Sequence, residues 1–75
     1  GPTAAELREA KKELARLDRQ LARLTGREAE LHAALAEASA DYQRLIEFGA
    51  ELTSVQAEKA SLEDRWLEAA ERAGS

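Results

Sequence analysis

An all-α fold, a two-helix antiparallel coiled-coil hairpin, is what this sequence predicts. Three observations carry the prediction. The composition is dominated by Ala, Glu, Leu and Arg, with one Pro at position 2 and four Gly among 75 residues, which favours long helices. Apolar residues recur at alternating spacings of 3 and 4 in two separate runs. Those runs are out of phase along one continuous helix, so the chain must reverse between them. There is no cysteine, and 75 residues make a marginal globular core, so neither disulfides nor Cys-based metal sites support the fold.

Gly1-Pro2 reads as a protease scar left by removal of a purification tag and is set aside, leaving residues 3–75 as a single hairpin cut from a larger protein. Helix one is expected over about 4–38. Thr3 is its N-cap, and Glu6 completes a capping box. Its seam residues are Leu7, Ala10, Leu14, Leu17, Leu21, Leu24, Leu31, Leu35 and Ala38, with one polar interruption at Glu28. Gly26 has two readings, a hinge or an exposed outer-face glycine tolerated at about 1 kcal/mol. The unbroken heptad phase across it favours the second. The turn is expected over about 39–42, where Ser39 and Asp41 are both reasonable N-caps for the next helix.

Helix two is expected over about 42–73. Its seam reads Leu45, Phe48, Leu52, Val55, Lys59, Leu62, Trp66, Ala69 and Ala73, and Gly74 is the stop signal. Arg72 places a cation in the last turn, where it suits the helix dipole. Folding back pairs Ala38 with Leu45, Leu35 with Phe48, and so on to Ala10 with Ala73, each pair of numbers totalling 83. Every a position then meets a d position. The two polar interruptions fall in neighbouring layers, so Glu28 and Lys59 can reach each other and fix the register. Flanking charges agree: Arg27 lies beside Glu51 and Glu58, and the acidic start of helix one lies beside Arg65 and Arg72. Trp66 has two readings, an exposed anchor for a partner or a core residue opposite Leu17. The small residues Ala10, Ala69 and Ala73 leave room for the second.

The sequence holds no catalytic or metal-binding constellation: His32 is the sole histidine and stands beside the seam. Carboxylates are spread at helical spacing, and a two-helix hairpin offers them no pocket. No apolar run is long enough to span a membrane. One surface feature stands out. Residues 8–27 hold seven basic residues against three acidic ones, a local charge of +4 in a chain of net charge −4. Arg8, Lys12, Arg16, Arg19 and Arg23, spaced 4, 4, 3 and 4, form one stripe on the outer side of helix one. Residues 41–73, with eight acidic and four basic residues, carry the whole deficit. Such a stripe is either a solvated coiled-coil face or a track for a phosphate backbone. With no aromatic residue beside it, a track of this kind reads backbone and not sequence.

The segments Leu14–Leu24, Glu28–Glu37, Asp41-Tyr-Gln-Arg-Leu and Leu62-Glu-Asp-Arg-Trp-Leu-Glu, together with the hairpin length, resemble the C-terminal domain of ABC-F proteins, the Uup-like members above all. Asp41 and Tyr42 at the turn and Trp66 near the end stand at matching places. The resemblance covers nearly all of residues 5–73. It implies a parent that is a cytoplasmic ATPase using ATP and Mg, a role in translation on the ribosome, and a C-terminal hairpin that binds DNA or ribosomal RNA. The net charge of −4 departs from the basic character expected of a nucleic-acid-binding version and confines such contact to the helix-one stripe. The fragment itself is expected to be a monomeric hairpin with no catalytic residue, metal or cofactor. The competing expectation is a protein-interaction or spacer hairpin with no nucleic-acid role.

Overall fold

The computed structural model describes residues 1–74 and consists of two helices, α1 (Ala4–Ala38) and α2 (Tyr42–Arg72), folded back on each other. The hairpin is a rod with extents of 57 × 14 × 14 Å, so the chain is an all-α, two-helix antiparallel hairpin. Residues 1–74 include no β-strand.

Both helices start on side-chain caps. The Glu6 amide donates to Thr3 Oγ1 at 3.1 Å, which satisfies one of the amides a helix start leaves unpaired. The Thr3 hydroxyl in turn donates to the Glu6 carboxylate at 3.1 Å. At α2 the Arg44 amide donates to Asp41 Oδ1 at 3.2 Å, so Asp41 is the N-cap. Ser39 ends α1 instead, with φ 55° and ψ −109°, and the reversal turns on it. α2 closes at Ala73, whose amide donates to the Ala69 carbonyl at 2.9 Å. Gly74 follows at φ +100°, a conformation that costs glycine nothing. α1 runs unbroken through Gly26, and space around that residue is open; it is an outer-face glycine and not a hinge.

The core is one contiguous stripe of Leu17, Leu24, Leu31, Val55, Leu62 and Ala69, with Ala10 and Ala38 buried near the two ends. All of these are d positions. The a positions Leu7, Leu14, Leu21, Leu35, Leu45, Leu52 and Trp66 are half-buried. On α1 the g positions Glu13, Gln20, Arg27 and Ala34 are half-buried as well, whereas the e positions Lys11, Asp18, Thr25 and His32 are exposed. The contact is therefore centred on d, and α1 is rotated so that its g edge closes and its e edge opens. With only two helices, nothing covers the outer flank of the a column. Each fully buried Leu contributes about 1.5–3 kcal/mol of transfer free energy, so d positions carry more of the stability than a positions.

Candidate nucleic-acid interface

Cross-helix polar contacts divide the rod into two sides. On the g side, Arg27 grips Glu51 with two bonds, Nε to Oε2 at 2.6 Å and Nη2 to Oε1 at 2.8 Å. Arg65 reaches Glu13 at 3.2 Å on the same side. On the a/e side, Lys59 Nζ bonds Glu28 at 2.9 Å, Gln56 supports the same carboxylate at 3.4 Å, and the Trp66 indole N–H donates to Asp18 at 2.8 Å. Lys59 and Arg27 each act as hydrogen-bonded cations, so they hold the Glu28 and Glu51 carboxyls below the usual carboxylate range, against a smaller opposing effect of desolvation. The hydrogen bond it donates to Glu51 raises the Arg27 guanidinium further.

These contacts sort the cations of the chain. Arg8, Lys12, Arg16, Arg19 and Arg23 are all exposed on α1. Arg16 is paired with Glu13 and Lys12 lies 3.8 Å from Glu9, so both are partly neutralised. Arg8, Arg19 and Arg23 have no hydrogen bond or ion pair among the described residues. Arg19 and Arg23 sit one turn apart, with about 5–6 Å between Cβ atoms expected for that spacing. Arg27, which belongs to the basic segment by sequence, is drawn away by Glu51 and Glu30. The five-residue stripe is thus three free guanidinium groups flanking two internally paired cations. A long free guanidinium on a rigid helix can donate two parallel hydrogen bonds to a phosphate without first breaking an internal pair.

Trp66 proves to be a hybrid of its two readings. Its ring packs against the core, and its N–H is spent on Asp18 at the edge. The Asp18 contact had no sequence signal, because it depends on how far each helix is rotated. At the open end, a groove of about 680 Å³ runs between the helix termini, bordered by Glu6, Glu9, Lys12, Glu13, Arg16 and Arg72. Its signs are mixed, so it favours neither anions nor cations. ATP and Mg, which the resemblance assigns to a parent protein, have no fit here: Gly26 and Gly49 lie inside helices and not in a phosphate-cradling loop. Among the described residues no cluster of three His, Cys, Asp or Glu could hold a metal ion. No helix among them is long and apolar enough to cross a membrane.

The family model described as "ABC transporter C-terminal domain" matches residues 6–71. No curated protein and no solved structure matches the chain.

Proposed function

This chain belongs to the ABC transporter C-terminal domain family, and from that premise we propose that it is a non-catalytic arm that lays the outer face of α1 along a nucleic-acid backbone. The observation that supports this is the set of three unpaired guanidinium groups, Arg8, Arg19 and Arg23, on one face of a rigid rod. Lys12 and Arg16 lie between them and join the contact by exchanging Glu9 and Glu13 for phosphate. The stripe meets only the backbone, so the ligand is structured RNA or duplex or branched DNA without sequence preference. The parent is then an ABC-F, Uup-like cytoplasmic ATPase, with ATP and Mg bound in its other domains and the hairpin working on the ribosome or on DNA.

A salt titration tests this reading. Three to five phosphate contacts give a log–log slope of about −3 to −4.5 for duplex DNA. Replacing Arg8, Arg19 and Arg23 with Glu should abolish binding while helicity persists, and Lys12→Glu with Arg16→Glu should weaken it less. Absence of binding at low salt, or binding indifferent to the triple reversal, refutes the reading. A protein-interaction role is the second reading, and the exposed side chains of Tyr42, Ile46 and Leu67 favour it.

A further inference from the structure

The three large hydrophobic side chains that stand in water all belong to one side of α2: Tyr42 is 79%, Ile46 67% and Leu67 57% exposed. They occupy the e and b positions of the heptad, beside the half-buried a column. That column contributes Leu21 and Leu35 from α1 and Leu45 and Leu52 from α2 to the same side. A crevice of about 260 Å³ lined by Leu21, Glu63, Trp66 and Leu67 opens there too. The b column of α2 reads Ile46, Thr53, Ala60, Leu67, and that of α1 reads Arg8, Ala15, Ala22, Ala29, Ala36. All nine are exposed, and all but Arg8, at the open end, are uncharged. The contacts of Glu28 with Lys59 and Asp18 with Trp66 place the a/e edges of both helices on this one face, opposite the Arg27–Glu51 side.

We infer that this a/e/b face is the interface with a second copy of the chain, packed face to face in antiparallel orientation about a two-fold axis. Three observations commit the face to that occupant. The first is register. A two-fold axis across the rod stacks α1 on the partner's α1 and α2 on the partner's α2, each pair running antiparallel. On α1 it sets Ala15 against the partner's Ala36 and Ala22 against the partner's Ala29. On α2 it sets Ile46 against the partner's Leu67 and Thr53 against the partner's Ala60. Large side chains then meet at the ends of α2, and small ones allow close approach everywhere else.

The two helices agree on where the axis passes. The b-column pairs put it just beyond Thr25 on α1 and just beyond Gln56 on α2, the nearest e residues. These two numbers total 81, within the range of 78 to 87 spanned by the observed cross-helix contacts, so both lie at one height along the rod. The second observation is charge. In this register Asp18 faces the partner's His32, Lys11 faces the partner's Ser39 and Glu63 faces the partner's Gly49, while Glu28 and Lys59 already satisfy each other. The third is size. A face running the 57 Å length and 14 Å width of the rod has a footprint of the order of the ~800 Å² that each partner of a standard specific interface buries. Lys12, Arg16, Arg19 and Arg23 stay in water on the outside of the pair, and Arg8 lies beyond the paired alanines at the open end.

Sedimentation equilibrium of the 75-residue chain over micromolar to millimolar concentration tests the inference. A monomer–dimer equilibrium is expected. Ala29→Glu and Ile46→Glu should each weaken it at least tenfold with unchanged helicity by circular dichroism. Ala22→Glu repeats the test at another height, so one poorly folded variant leaves the others to decide. The chain has no cysteine, so Gln56→Cys, beside the axis, should cross-link to its own copy with a short bismaleimide, and Ile46→Cys should not. A species of 8.2 kDa at every concentration overturns the inference. A dimer indifferent to the Glu substitutions, as a pair of swapped open chains would be, overturns it as well. So does cross-linking at position 46 without cross-linking at 56. Nucleic acid is absent from these measurements and the stripe is unaltered, so the result is independent of the proposed function.

Discussion

Leu17 and Leu31 have no solvent exposure at all, whereas the a-position leucine Leu21 is only half-buried. The same chemical deletion should therefore cost different amounts at the two kinds of site. Leu17→Ala or Leu31→Ala is expected to destabilise the hairpin by about 3 kcal/mol, and Leu21→Ala by about half of that, measured by urea denaturation. Ser39 is a second informative residue. At φ 55° a Cβ crowds the backbone, and the amide of Asp41, donating to the Ala38 carbonyl at 2.9 Å, locks that geometry in place. Ser39→Gly should raise stability by about 1 kcal/mol, read as a higher thermal midpoint. Gln20 carries a cost of another kind, since its Oε1 is buried with no hydrogen-bond donor among the described residues. The N-cap at Asp41 was one of two choices open in the sequence. Ser39 and Asp41 have similar capping chemistry, and the choice went to the residue that the turn geometry left in an extended conformation.

Each helix draws on the other for its polar order. Glu28 interrupts the seam of α1 and Lys59 that of α2, and each supplies the other's missing partner at 2.9 Å. Arg27 and Glu51 repeat the arrangement on the opposite edge, about two turns closer to the reversal on α2. Both carboxylates have lowered pKa values in the folded hairpin, chiefly through these cationic hydrogen bonds. The sign follows from linkage. The unfolded chain takes up protons first, so the stabilisation from Glu28 and Glu51 is complete above the ordinary carboxylate pKa, about 4.3. It is lost as pH falls through their lower folded values. Thermal midpoints should fall as pH drops below about 4.3. A variant with Glu28→Gln and Glu51→Gln should show a shallower fall; an equal slope would refute the assignment. This pairing was legible in advance, because antiparallel register brings positions totalling about 83 together whatever the rotamers.

At the scale of the rod, one strip of apolar contact holds two helices of 35 and 31 residues, and no second layer exists to bury the other sides. The charges are consequently distributed by face, with free arginines on the outside of α1, ionic clamps on the g edge, and an a/e/b face whose charges are the Glu28–Lys59 pair, Asp18, Glu63 and, toward the open end, Arg8 and Lys11. That separation keeps the proposed phosphate-binding side apart from the proposed self-pairing side everywhere but at Arg8. Much of this was readable from residue order. Heptad spacing is a local property of a helix with 3.6 residues per turn, so the two stripes, their phase break and the resulting hairpin follow from the positions of the leucines alone. The ranking of d over a, the Trp66–Asp18 bond, the capture of Arg27 by Glu51 and the freedom of Arg8, Arg19 and Arg23 were not readable. They depend on the rotation of each helix about its own axis. Spacing leaves that angle open within the width of the seam, and packing of the two helices against each other sets it.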